Sequence, residues 1–586
     1  MSRVVPSRAV PLVVAVVVAL AGCAGIPTSG PVKAGGDLRL ERADEGVPVI
    51  GEPPRPGASP GEIVSGFLDS SADFQNDHEV ARLYLTSAAS QAWRPQSGTV
   101  IYDKSASTLD PPQGEAATIT FEAPEVGQIA ADGAYSRAVP GATVTRRFEL
   151  TRTGGEWRIS AVGNGLLLSS SELGDTYRQV SLYFLAPTGD ALVPDTVLIP
   201  ELPGLSTKLV ARLLRGPTAS MRGAVTTAFP EGTSLDVGSV PVTDGVALVG
   251  LDSTALGVDD TTRQQMSAQL VWTLKQLAGV LAIRITAGGE SLRVTSAGAE
   301  QQRDDWPTFD PDRVPGNLSA YVELNGRIGR YLGGKFVPVL GAGGAGGPQA
   351  PQLRAPAVTL DNTRLAALTT DGSTVLVGQM TNDAALEPRI QGADFSAPSW
   401  DRDKGLWVVD RASGQLLFLA DGAEKAQQVT VPSAGGRLQA VQVSRDGARV
   451  ALVVGTGRGA RMRIGSIRRL AGTDSGDERL SLQSLTQPLP ELRGVRDVTW
   501  ADATHVMVVG SLDEGVLRPY QVSIDGWKFP DVEPVPGTSP AVSISAAPPL
   551  GENPLVVGTA DGHLWEFASS SGWAELGPGS SPAYPG

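Results

Sequence analysis

One cysteine and three histidines are all the thiol and imidazole chemistry in this chain of 586 residues. The cysteine, Cys23, closes the run Leu20-Ala21-Gly22-Cys23, which matches a lipobox. Small residues at Ala21 and Gly22 let the backbone lie extended in a peptidase groove, and the freed Cys23 can carry a diacylglycerol through a thioether. Before it stand Arg3 and Arg8 and an apolar run over 12–21. A bilayer span needs about 20 apolar residues, so residues 1–22 read as a signal peptide and not as a permanent span. Acyl chains bind at about 0.8 kcal/mol per buried methylene, and two or three chains hold stably. Cleavage removes both arginines, so the formal charge of −14 becomes more negative still. An acidic body is repelled by an anionic leaflet, so the lipid must hold it there, on the extracytoplasmic face of the cell membrane.

The remaining chemistry is sparse. His78, His505 and His563 are each more than 50 residues from the next, too scattered for a histidine metal centre, and they read as surface or packing residues. A single cysteine excludes a disulfide framework and thiolate-rich metal sites. There is no Gly-x-Ser-x-Gly elbow, no His-Glu-x-x-His, no phosphate-binding Gly-Lys-Ser/Thr, and no serine three residues before any lysine. Gly341 to Gly346 satisfies Gly-x-Gly-x-x-Gly, but Pro348 and Pro351 follow where a helix would be required, so it reads as a loop. Asp401-Arg402-Asp403 resembles the start of a calcium loop, yet Ala412 stands where the bidentate glutamate belongs. No catalytic residue, cofactor or metal ligand is assigned. The excess of 62 acidic over 48 basic residues also argues against nucleic acid as a partner.

The elements that would position any site fall into three units behind a tether. Residues 23–58, rich in Gly, Pro and Ala, read as a lipidated flexible tether with a coil dimension of roughly 30–35 Å. Ser59-Pro60-Gly61-Glu62 is a capping box that opens a helix. Helical stretches at 79–85 and 88–93 follow, then strands at 99–102, 117–121, 143–150 and 156–162, the last two joined through Thr153-Gly154-Gly155. Helices before a curved antiparallel sheet imply a small NTF2-like α+β cone over 59–170. Residues 171–300 read as a second α+β unit. It has strands at 180–185 and 192–198, a helix at 206–214 and a strand led by Gly232-Thr233. An Asp244-Gly245 hairpin turn, a helix at 262–277 and a strand at 282–286 complete it. Met266, Leu270, Leu274 and Leu277 would give that last helix a single apolar stripe.

Residues 301–586 are all-β. Asp-Gly turns at Asp371, Asp421, Asp446, Asp525 and Asp561 punctuate short apolar strands, and a loose repeat places Thr369, Trp400, Ser444, Trp500 and Ala546 in equivalent positions. The mean spacing, with large scatter, suits four-stranded blades, so a β-propeller of five or six blades is expected, with 321–332 placed to lend a strand to ring closure.

Several stretches resemble one family. Cys23-Ala-Gly-Ile-Pro-Thr-Ser-Gly-Pro-Val is similar to the mature start of the actinobacterial LpqB lipoproteins. SLYFL, LVARLLRGP, AFPEGTSLD, VALVGLD and QLVWTLKQL resemble the GerMN domain of sporulation and germination proteins, and the repeat region resembles the LpqB propeller. The resemblance spans essentially the whole chain in domain order. It implies a multidomain α+β and all-β protein that binds and modulates the extracytoplasmic domain of an MtrB-like sensor kinase, within a two-component system that bears on cell-envelope homeostasis. It supplies no catalytic residues, and Cys23 is the functional residue it carries over. Two other readings remain open: a lipoprotein that binds peptidoglycan or its precursor, and an exported hydrolase using two carboxylates. The hydrolase requires a buried carboxylate pair in the propeller channel or in the cone.

Overall fold

The computed structural model describes residues 50–586 apart from 110–116, 317, 345–350, 471–478, 513–514, 531 and 551. Cys23 and the lipobox residues Leu20, Ala21 and Gly22 lie outside the described residues. No helix among the described residues is long and apolar enough to cross a membrane.

Helix Pro60–Ser70 starts at the expected capping box: the Glu62 amide donates to Ser59 Oγ, and the Ser59 amide donates to the Glu62 carboxylate at 2.7 Å. Its apolar face, Ile63, Val64, Phe67 and Leu68, is buried against a sheet ordered 156–161, 143–153, 118–130, 98–102, 166–169. Short helices Glu79–Arg82 and Ser87–Ala92 close the same side. Phe67, Trp93, Phe121 and Phe148 fill the concave face, with the Phe67 and Trp93 rings 5.2 Å apart. The cone is thus a packed core. Residues 50–58, expected as tether, lie against it instead. Tyr84 Oη and Ser70 Oγ donate to the Glu52 carbonyl, and the Gly51 and Gly57 amides reach Asp73 and Glu156. Their lack of apolar periodicity hid this, because the contacts run through backbone atoms.

In the second unit, strands Tyr177–Leu185 and Leu192–Pro200 pair antiparallel along their whole length. Asp244 and Gly245 both take positive φ, 51° and 78°, making the expected tight turn between Val242–Thr243 and Val246–Leu251. Val246–Leu251 runs parallel to Ala282–Ala287, and helix Asp260–Leu274 makes the crossover. No strand follows Gly232-Thr233; a lone bridge joins Leu235 to Leu251.

That helix departs from the single stripe. Met266, Leu270 and Leu274 are buried, but so are Ser267, Gln269 and Thr273. Gln269 and Thr273, with Gln276 just past the helix, repair the open edge of strand Tyr177–Leu185. Gln276 accepts from the Ser181 amide and donates to its carbonyl, Thr273 Oγ1 accepts from the Tyr183 amide, and Gln269 donates to the Tyr183 carbonyl. Gln269 also accepts from the Ala228 amide at 2.8 Å. Gln269 and Thr273 share one helix face, and with Gln276, just past the helix end, they act as a substitute strand.

The last unit forms six radial sheets among the described residues. Blade one joins Tyr321–Leu324, Arg327–Leu332 and Lys335–Pro338 to Ser580–Ala583 from the far end of the chain, which closes the ring. Blades two, three, four and six have four strands, innermost Leu353–Val358, Ser399–Trp400, Leu438–Val443 and Ala541–Ser545. Blade five has three: Arg493–Trp500, His505–Ser511 and Arg518–Ser523. Trp400, Ser444, Trp500 and Ala546 fall at the outlet of an innermost strand, but Thr369 ends a second strand. The equivalent place in blade two is Thr359, after Leu353–Val358. The two are confused in sequence because both open a Thr-x-Asp turn, the hydroxyl donating to the aspartate.

Candidate functional site

Charged and polar side chains converge where the three units meet. Asp132 and Gly133 form the turn that leads to strand Tyr135–Arg137. The Asp132 carbonyl accepts from Arg212 Nε and Nη2, its carboxylate accepts from the Ala219 amide at 2.9 Å, and the Leu198 amide donates to the Gly133 carbonyl. Gly133 has φ of 84°, and a Cβ there would stand 3.1 Å from the Leu198 carbonyl, so glycine is required on both counts. On the propeller side Tyr135 meets Trp527 edge-on at 5.3 Å, and Arg137 pairs with Glu491 at 2.9 Å while lying over Phe529.

The second unit grips the propeller through another set. Arg449, buried, donates to the Pro194 carbonyl and stands 3.5 Å from Asp446. Beside it Asp195 accepts from both the amide and the hydroxyl of Thr218. Burial pushes the Asp195 carboxyl up, against the pull of Thr218 and Arg449. Ser466 Oγ reaches the Ser220 carbonyl at 2.6 Å, Gln179 reaches Asp525 at 2.7 Å, and Arg402 reaches Asp190 at 3.1 Å. Between these contacts lies a cavity of about 340 Å³ lined by Tyr135, Arg137, Asp195, Met221, Arg449 and Pro488 among others.

A further cluster sits where residues 303–313 cross the propeller mouth. Asp312 accepts from the Ala503 amide at 2.7 Å, and burial, with Asp502 nearby, pushes its carboxyl up to about 7. His505 stands 3.1 Å from Asp502; burial pulls the imidazole down, but the carboxylate overrides it and holds it above its ordinary value. Arg445 is buried and donates to the carbonyls of Trp500, Ala546 and Pro585, so one guanidinium ties blade five, blade six and the residues after the closing strand. Burial lowers it to about 10.

The propeller channel holds a cavity of about 90 Å³ lined by Trp400, Gln442, Asp497, Thr499, Ser543 and Ser545 among others. Asp497 accepts from the Ile544 and Val498 amides, and burial pushes it up to about 7; the surface it retains faces this cavity. It is the one carboxylate side chain among the described residues of the lining, where two-carboxylate hydrolysis uses a pair of side chains. The pair at Asp312 and Asp502 lies outside the channel, with Asp502 bound to Thr504 and His505. The cone interior is apolar and aromatic.

The residues singled out in sequence do not converge. His78 is buried between Phe74 and Trp93, and burial lowers its pKa. His563 bonds Glu575 at 2.7 Å on the surface. Asp401 accepts from the Asp403 and Gly405 amides and from the Trp407 indole, so the Asp-x-Asp turn binds its own backbone. Gly341–Gly343 forms a single 3₁₀ turn. No group of metal-ligating side chains is present among the described residues. Sequence reasoning passed over Asp132, Arg212, Arg445 and Arg449; the Asp132-Gly133 dipeptide was the available signal for the first.

Comparison with known proteins follows the same division. Residues 53–174 match the lipoprotein LpqB N-terminal domain, 181–293 a domain of sporulation and spore germination, and 326–585 the lipoprotein LpqB beta-propeller domain. Lipoprotein LpqB of Streptomyces avermitilis is 31% identical over 97% of this chain and 96% of its own. Lipoprotein LpqB of Thermobifida fusca is 29% identical over 97% of each. Among solved structures, TolB from Acinetobacter baumannii aligns with 46% of this chain and 68% of its own, at 15% identity and a TM-score of 0.35.

Proposed function

Because this chain belongs to the lipoprotein LpqB family, we propose that it is a non-enzymatic accessory lipoprotein, lipidated at Cys23 and held on the extracytoplasmic face of the cell membrane, that binds and modulates an MtrB-like sensor kinase. The observation that carries this reading is where the polar side chains go. Arg212, Arg137, Arg449, Gln179 and Arg402 are all committed to ties between units, and the tied parts form one body. A cross-braced body suits recognition, because a partner that distorts it must break several bonds at once.

Anchoring puts this body on the same surface as the kinase ectodomain and raises its effective concentration there. It acts by binding one kinase conformation better than the other; a difference of about 1–3 kcal/mol shifts the population about 5- to 150-fold. Equal affinity for both would shift nothing. The test is kinase autophosphorylation in proteoliposomes, with the lipidated protein and with Cys23→Ala. A change of about fivefold or more with the lipidated form, and a weaker one with Cys23→Ala at equal concentration, is expected. An unchanged rate with both overturns the proposal, and retention on insoluble cell wall would then direct it to peptidoglycan.

A further inference from the structure

The propeller has two rims, and the strand register separates them. The rim bearing Arg402, Arg449 and Asp525 meets the second unit. At the opposite rim, Leu438 pairs with Val454, Val454 with Arg461, and Arg493 with Ser511, so the starts of these strands lie together. Arg437, Arg458, Arg461, Arg463 and Arg493 gather there. The Gly455 amide donates to the Arg437 carbonyl, Arg461 Nη1 donates to the Arg458 carbonyl, and the Val495 amide donates to the Ala460 carbonyl, which makes the patch contiguous. Arg461 has its proton affinity lowered by burial and then by Arg493 and Arg463, as expected where like charges crowd.

None of these five arginines has an ion-pair partner among the described residues. Glu491, two residues before Arg493, is committed to Arg137. Asp513 and Glu514 lie outside the described residues. Arg437 is held there by donating to the Ala412 carbonyl, and among the described residues this crest gathers positive charge with no acidic partner, on a chain of net charge −14. Beside it Leu517 covers Gly494, and the neighbouring Val516 is 62% exposed. Arg437, Arg458 and Arg493 are exposed on an open rim and line none of the cavities described above, whereas Arg463, half-buried behind them, also lines the cavity of about 340 Å³.

We propose that this crest is a second membrane contact, which lays the rim of blades four and five on an anionic phospholipid surface. Arginines with an exposed aliphatic side chain and no groove suit a planar headgroup layer, whereas an acidic polypeptide would need a cleft to fix its course. The contact supplements a lipid anchor with charge, and each arginine contributes about a fivefold gain in partitioning.

The test uses the mature chain, residues 23–586, in its Cys23→Ala form, so that neither the signal peptide, the acyl anchor nor the kinase reading enters. It is sedimented with vesicles of phosphatidylglycerol and phosphatidylcholine, and with vesicles of phosphatidylcholine alone. The expected result is binding to the anionic vesicles only. That binding should be lost as ionic strength rises from about 0.01 M to about 1 M, where the screening length falls from about 30 Å to about 3 Å. The triple variant R437Q/R458Q/R493Q, at exposed sites, should weaken it about a hundredfold with an unchanged melting temperature. Equal sedimentation of parent and variant overturns the proposal. So does capture by polyglutamate without vesicle binding, which would assign the crest to an acidic polypeptide.

Discussion

Asp312 carries its carboxyl into a corner that already holds Asp502 and Asp310, and its proton affinity rises to about 7. The unfolded group titrates near 3.9, so between about pH 4 and pH 7 the folded protein holds the extra proton and stability falls as pH rises. His505 acts in the same direction. Its raised affinity stabilises the fold while the imidazole is protonated, and that contribution is lost as pH rises through its folded pKa. Asp312→Asn keeps an acceptor for the Ala503 amide without the charge. Urea unfolding should find it more stable than the parent at pH 8 by about 1 kcal/mol or more, with the gap closing at pH 5. A gap of equal size at both pH values would show that the charge is not responsible. Arg445 poses the opposite problem, since its removal strands three buried carbonyls. Arg445→Met should cost about 3 kcal/mol or more, read as a lower urea midpoint at unchanged slope.

At the scale of elements, the helix Asp260–Leu274 shows that burial on all sides is compatible with a polar face when that face has backbone to bind. Gln269→Leu preserves size and helix propensity but leaves the Tyr183 carbonyl and the Ala228 amide unpaired. It should destabilise by about 2–4 kcal/mol in chemical unfolding, although a hydrophobicity argument would count it as neutral or favourable. The apolar stripe of that helix was legible at Met266, Leu270 and Leu274, because spacing alone defines a face. The second, polar face was not, because glutamine and threonine look the same whether they meet water or a strand edge. The cap at Ser59 and the turn at Asp244-Gly245 were legible for a related reason: their chemistry is complete within four residues. Thr369 was misplaced because Thr-x-Asp turns occur at both ends of a blade, and only pairing with distant strands tells the ends apart. The ties from Asp132, Arg212 and Arg449 could not be read at all. Each joins residues 80 or more apart, and no local pattern records which arginine finds which carbonyl.

Across the whole molecule, three units share one set of braces, and their unfolding should be linked. A double variant, Arg212→Ala with Arg137→Ala, removes the bonds to the Asp132 carbonyl and to Glu491 while leaving each core intact. Calorimetry should show the first unit's transition separate from that of the other two, and small-angle scattering should show a broader distribution of lengths; superimposable curves would mean that these two arginines are not what couples the first unit to the rest. The three-stranded blade gains its meaning at this scale. A propeller of similar blades offers any docking unit several near-equivalent sectors, and among the described residues blade five is the one with three strands, with Trp527 and Phe529 following its third strand to meet Tyr135 and Arg137. Among the described residues that missing fourth strand works like the notch in a keyed connector: it sets blade five apart from the four-stranded sectors, and the first unit seats against the segment that follows it.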